Sequence, residues 1–155
     1  MKLAKALKIK NRLVGELNQL KVELQRENSR RDDNPSKIDC KSLYAEIETK
    51  RDSLIALKSS ICSANAGSPN KDAGIYQKID KMSELKSFIN FLAGLPKREG
   101  EELTLIGANR EKLTYQWTVF INQERADVIT KELQVEVNKL QDDVDEFNSR
   151  TELPA

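Results

Sequence analysis

The chain has 155 residues, of which 33% are charged, yet its formal net charge at pH 7 is only +1. It contains two cysteines and no histidine, which excludes a histidine general acid or base, a Cys–His nucleophile pair and an ordinary zinc site. So much charge, with only 5% aromatic residues, favours long helices with solvated outer faces over a large spherical core.

The two ends of the chain carry opposite charge. Residues 1–31 hold nine Lys or Arg against three Glu, a difference of +6, whereas residues 122–155 hold four Lys or Arg against nine Asp or Glu, a difference of −5. We expect the first and last helices to pair, within one chain or between chains, because opposite charges favour that choice of partner.

The first predicted helix spans residues 2–28. Its apolar residues, such as Leu17 and Leu24, fall on one stripe. Gly15 interrupts this helix at a cost of about 1 kcal/mol relative to Ala, which suggests that another segment packs closely against it. Residues 29–36 are polar and rich in turn-forming residues, so they are predicted to be a turn.

The second predicted helix spans residues 39–64, with Asp39 as its N-cap. Apolar residues recur along it at alternating spacings of three and four, which places them in one narrow seam. Lys50 lies in this seam, where it either fixes the register or oligomeric state, or extends its amino group to the surface. The apolar members of the seam that we assign to an interface are Leu43, Ile47, Leu54, Leu57 and Ile61.

A third helix is predicted at residues 75–94, after a loop at 65–74, and a β-hairpin follows at about 102–121. The hairpin is indicated by alternation of bulky and polar residues, and its apolar face needs helices or a partner's sheet to cover it. The last predicted helix spans 122–148 and has Asn122 as its N-cap. It carries a second three-four seam that contains Leu133, Val137, Leu140, Val144 and Phe147.

A seam of this kind requires a partner helix. We therefore predict a homo-oligomer that assembles through the two helical seams, with Tyr115 and Trp117 of the hairpin as further interface residues. These two aromatic residues share one face of a strand and could instead stack on nucleic-acid bases, but no basic residues alternate with them. We expect them to form the apolar side of the hairpin, and we do not expect nucleic acid as a partner.

Two charged segments allow other interpretations. The basic first helix could bind nucleic acid or an anionic membrane surface, but the acidic last helix can balance its charge. The acidic residues at 142–146 lack the spacing and glycine of an EF-hand loop, so a solvated helix face is expected there. Neither a secretion signal nor a run of about 20 apolar residues is visible, which predicts a cytoplasmic protein.

Several segments in order resemble the septicolysin-like family of small bacterial proteins. They are MKLAKAL at residues 1–7, NRL at 11–13, SANA at 63–66, LTYQWTVFI at 113–121 and NSRTEL at 148–153. The resemblance extends along nearly the whole chain and implies an α-helical fold with a short β element. The family name suggests a membrane-active cytolysin, and the resemblance implies no catalytic residues.

Together these observations predict a single, mainly α-helical domain over residues 1–155, an antiparallel bundle of about four long helices with coiled-coil-like seams and one β-hairpin before the last helix. We expect a structural or interaction protein that acts through helical self-association, with no catalytic activity, cofactor or metal. The alternatives are a membrane-active protein, as the family name suggests, and a nucleic-acid-binding module that uses the basic first helix.

Overall fold

The computed structural model describes residues 1–65 and 73–153, except for the side chain of residue 73. Its elements in chain order are α1 Leu3–Glu27, β1 Ser29–Arg31, α2 Cys40–Asn65, α3 Ala73–Ala93, β2 Gly100–Ile106, β3 Glu111–Val119 and α4 Gln123–Arg150. The protein is mainly helical, as predicted, and its four helices begin and end within two residues of the predicted limits. Most of the predicted loop at 65–74 lies outside the described residues.

Neighbouring helices in the sequence are also neighbours in space. α1 packs against α2, α2 against α3, and α3 against α4, each pair running antiparallel. One apolar core lies where all four helices approach the sheet and includes Leu24, Ile47, Phe88 and Leu92. A second, smaller core joins α3 to α4 through Met82, Leu85, Val137 and Val144.

Side chains cap two of the helices where the sequence predicts caps. The carboxylate of Asp39 accepts hydrogen bonds from the backbone N–H of Lys41 at 3.1 Å and from the hydroxyl of Ser42 at 2.7 Å. The side-chain oxygen of Asn122 accepts a hydrogen bond from the backbone N–H of Arg125 at 2.8 Å. Both caps satisfy donors in the first turn, which fixes where α2 and α4 begin.

The β element is a three-stranded antiparallel sheet with the order β1-β3-β2, rather than a hairpin alone. β1 lies inside the segment that the sequence predicts to be a turn, so that prediction is wrong for residues 29–31. Ser29 pairs with Val119 and Arg31 with Trp117 on one side of β3, while Gly100 pairs with Trp117 on the other side. β1 forms because β3, which is distant from it in the sequence, pairs with it.

Asn28 connects three segments at the base of the sheet. Its side chain is buried, and Nδ2 donates hydrogen bonds to the carbonyl oxygens of Pro96 at 2.8 Å and Ile121 at 3.0 Å. Its Oδ1 accepts a hydrogen bond from the backbone N–H of Ile121 at 2.9 Å, and its own carbonyl accepts one from the N–H of Phe120 at 2.9 Å. The end of α1, the segment after α3 and the start of α4 are therefore held together by one residue.

The structure bears on two expectations about α1, the close packing at Gly15 and, within one chain, the pairing of α1 with α4. A Cβ built at Gly15 meets no atom within 4 Å, so none of the described segments packs closely against this glycine. The ion pairs between helices also follow the packing order. In the described ranges they join α1 to α2, α2 to α3 and α3 to α4, and none joins α1 to α4. Asp143 and Glu136 of α4 are thus paired with Lys78 and Lys81 of α3, and not with the basic residues of α1.

In the part of the chain that the structure describes, no helix is both long enough and apolar enough to span a membrane.

Candidate functional site on the hairpin

The helical residues that the sequence assigns to an interface pack mostly within the chain. On α2, Leu43, Ile47, Leu54 and Ile61 are buried, and Leu57 is half-buried. On α4, Val137 and Val144 are buried and pack on α3, whereas Leu133, Leu140 and Phe147 are half-buried. These faces are covered by neighbouring helices of the same chain, so they leave little apolar surface for a second molecule.

Lys50 of α2 extends from its seam towards α1. Its amino group forms an ion pair with the carboxylate of Glu16 at 2.7 Å, and about a third of the lysine side chain stays exposed. The hydrogen bond from Lys50 is the largest factor that lowers the pKa of Glu16. The lysine therefore joins two helices at the surface.

The sheet carries Tyr115 and Trp117 on one face of β3, as the alternation predicts. The guanidinium of Arg31 lies over the ring of Tyr115, 4.0 Å from its centroid. The same guanidinium donates two hydrogen bonds of 2.8 Å to the carboxylate of Asp33, and this pairing raises the pKa of Arg31. One face of the tyrosine ring is therefore covered by a cation that already has an anionic partner.

Trp117 is held in a similar way by residues of β2 and of the segment before it. Its indole N–H donates a hydrogen bond of 2.6 Å to Glu102, and the guanidinium of Arg98 lies 5.1 Å from the centre of the ring. Arg98 also forms an ion pair with Glu102 at 3.3 Å. Tyr115 and Trp117 are thus half-buried beneath arginines, which is unlike an open platform on which nucleic-acid bases stack.

A shallow cavity of about 270 Å³ lies beside β1 and is lined by Ser29, Arg30, Arg31, Asn34 and Trp117. Most of its polar side chains already have partners within the same chain. Arg30 Nε donates to the carbonyl of Asn34 at 3.0 Å, and the hydroxyl of Ser29 donates to the carbonyl of Arg98 at 2.6 Å. The cavity therefore offers few donors for a ligand.

The outer part of the hairpin exposes aliphatic side chains on both of its faces. Leu103 is 59% exposed and Leu105 is 56% exposed on one face, while Ile106 at 43% and Leu113 at 42% lie on the other. Burial is favourable by roughly 25 cal/mol for each Å² of apolar surface, so this exposure is unfavourable for an isolated chain. We call these four residues the hairpin apolar patch.

Sequence reasoning did not assign the hairpin apolar patch to the interface. The signal was present in the segment Leu103-Thr104-Leu105-Ile106, where two adjacent apolar residues break the alternation. Adjacent residues of a strand point to opposite faces, so this pair places apolar side chains on both sides of the hairpin.

The two cysteines lie on α2, apart from the tip of the hairpin. Burial raises the pKa of the Cys40 thiol, and a hydrogen bond of 3.0 Å from Cys62 to the carboxylate of Asp80 raises the pKa of Cys62. Both shifts favour the unreactive thiol over the thiolate. Over residues 1–65 and 73–153, no group of three or more His, Cys, Asp or Glu could hold a metal ion.

No protein-family model, curated protein sequence or solved structure matches this chain. The resemblance to the septicolysin-like family stays a prediction.

Proposed function

We propose that this chain is a cytoplasmic structural or interaction protein that acts by self-association, with the hairpin as its contact surface. In this proposal the three-four seams of α2 and α4 act as coiled-coil-like contacts that hold one antiparallel bundle together. The single observation that carries the proposal is the hairpin apolar patch, which lies away from the helices and stays about half exposed among the described residues.

The size of the patch is adequate for association between two copies. Complete burial of an aliphatic side chain contributes about 1.5–3 kcal/mol, so eight such side chains, each about half exposed, contribute roughly 6–12 kcal/mol if both faces of the hairpin are covered, and less if only the edge is paired. Association costs an estimated 4–15 kcal/mol in lost freedom of motion. Side-chain burial alone therefore supports a weak complex, and further contacts at the hairpin would tighten it.

The proposal is tested by measuring molar mass with size-exclusion chromatography and light scattering over a range of micromolar concentrations. The test variant combines Leu103→Glu with Leu105→Glu, which adds two negative charges to the patch. The matched control combines Val128→Glu with Val135→Glu on α4, where the two valines are 54% and 66% exposed. Both variants make the same change in charge.

We expect the unaltered chain and the α4 control to have a multiple of the monomer mass, and the hairpin variant to be a folded monomer. A compact monomer for the unaltered chain at every concentration would refute self-association. Dissociation of the α4 control, with the hairpin variant still assembled, would place the interface on the helices instead. Circular dichroism shows whether each variant is folded.

A membrane-active role is the second candidate. It is favoured by the start of α1, where Met1, Leu3 and Leu7 are exposed alongside Lys2 and Lys5. Exposed apolar residues next to cations favour binding to an anionic lipid surface. Dye release from vesicles that contain anionic lipid tests this role at low salt, and neutral vesicles serve as the control. The absence of both binding and release from anionic vesicles would exclude it.

A further inference from the structure

We infer that β2 pairs edge to edge and antiparallel with β2 of a second copy, with Thr104 on the twofold axis. This inference rests on the proposed self-association and specifies its geometry. The two three-stranded sheets would then form one six-stranded sheet with the order β1-β3-β2-β2-β3-β1.

The first observation is that β2 is an open edge. It is seven residues long and pairs only with β3 among the described strands, so the backbone groups on its outer side face away from the sheet. Edge strands are commonly protected from pairing by proline, by lysine or by a short length. β2 has neither proline nor lysine, and its charged residues, Glu101 and Glu102, lie at its start.

The second observation is that like charges exclude several registers. In a twofold antiparallel pair, an axis through Glu101 or Glu102 would place two identical carboxylates opposite each other, which is destabilising. An axis through Leu103 would place Leu105 opposite Glu101 of the second copy. As the axis moves towards the tip of the hairpin, the glutamates of the two copies no longer face each other or the leucines, and more apolar side chains lie opposite one another.

An axis through Thr104 gives the best match. It places Leu103 opposite Leu105 of the second copy and Leu105 opposite Leu103, so that four leucines from two copies form one apolar cluster on one face. These are the two most exposed residues of the hairpin apolar patch. Cross-strand apolar pairs are a main source of stability in antiparallel sheets.

The opposite face is also compatible with this register. There, Ile106 lies opposite Glu102 of the second copy. The carboxylate of Glu102 already accepts a hydrogen bond from Trp117 and forms an ion pair with Arg98 within its own chain. Because its charge is compensated, Glu102 can pack beside an aliphatic residue at the junction.

A cysteine at the axis tests the register directly. Opposite residues of antiparallel strands have Cα atoms about 4.5–5.5 Å apart, within the range that a disulfide bridges. We expect Thr104→Cys, in a background with Cys40→Ala and Cys62→Ala, to form a disulfide-linked dimer under mild oxidation. The matched control is Thr114→Cys on β3, because two β3 strands would be about 14 Å apart across three strand spacings.

Efficient cross-linking of Thr104→Cys, with little from Thr114→Cys, supports the inference. If the unaltered chain self-associates but Thr104→Cys cross-links no better than the control, edge pairing in this register is refuted while the proposed function stands. A monomeric unaltered chain refutes both. If the background variant does not fold, peptide mapping by mass spectrometry identifies the same disulfide in the chain with its native cysteines.

Discussion

Replacement of Asn28 by alanine should destabilise the protein strongly. The change removes three side-chain hydrogen bonds, two of them to the backbone of Ile121, which is completely buried. A buried polar group that loses its partner costs about 1–3 kcal/mol, so the two groups of Ile121 together cost about 4 kcal/mol. The third acceptor, the carbonyl of Pro96, belongs to an exposed residue and adds less because water can reach it.

Urea and thermal unfolding followed by circular dichroism measure this effect. A loss of about 4 kcal/mol lowers the melting temperature of a domain of this size by roughly 8–16 °C. The matched control is Asn138→Ala on α4, because Asn138 is exposed and hydrogen-bonds only Gln134 of its own helix among the described side chains. We expect its effect to stay within about 0.5 kcal/mol. A loss below about 1 kcal/mol for Asn28→Ala would refute the role assigned to this residue.

A second substitution, Asn28→Asp, separates the hydrogen bonds from side-chain volume. The new carboxylate has almost the same size, but it would face two carbonyl oxygens where the amide donates hydrogen bonds. Burial and this repulsion favour the protonated acid in the folded state, so the variant should become more stable as the pH falls from about 7 to about 5. A deficit that does not change with pH would contradict this explanation.

Three further predictions concern other parts of the fold. Gly15→Ala should raise the free energy of unfolding, measured by urea denaturation, by about 0.5–1 kcal/mol, because the added Cβ meets no described atom within 4 Å. A loss of stability would instead show that another segment contacts this position. Glu136→Lys should lower stability by up to about 1 kcal/mol at low salt and less at high salt, because it breaks the 2.6 Å ion pair with Lys81, and a salt-independent effect would contradict this cause. Burial raises the pKa of Tyr44 to about 12, so the folded protein should lose stability as the pH rises through about 10 to 12. The urea concentration at half unfolding should therefore fall over this pH range, and it should fall less in Tyr44→Phe than in the unaltered chain.

The sequence predicts the helices well because their signals are local. Asp39 and Asn122 cap α2 and α4, and the apolar spacing between the caps and the following polar segments fixes the length of each helix. The strand β1 has no such signal, because its three polar residues become a strand only through pairing with residues near Trp117. Non-local pairing of this kind leaves no periodic pattern in a short segment.

The apolar seams of α2 and α4 are similarly limited in what they predict. A three-four repeat in α2 or α4 indicates that one face of the helix is covered, but it does not indicate whether the covering helix belongs to the same chain. Here Ile47 and Val137 are covered from within. The adjacent pair Leu105 and Ile106 is visible in the sequence, but the sequence does not show that the hairpin lies away from the helices, and this is why the hairpin apolar patch was missed.

The junction at Asn28 also constrains the order in which the protein folds. Its hydrogen bonds join residues separated by 68 and 93 positions in the sequence. The α1–α2 pair needs only the first 65 residues, whereas β1 cannot enter the sheet until β3 has been synthesised. Contacts between distant residues require closure of long loops and slow folding. During synthesis on the ribosome, α1 and α2 are thus expected to pair early. The side chain of Asn28 can form its hydrogen bonds only after Pro96 and Ile121 have been synthesised.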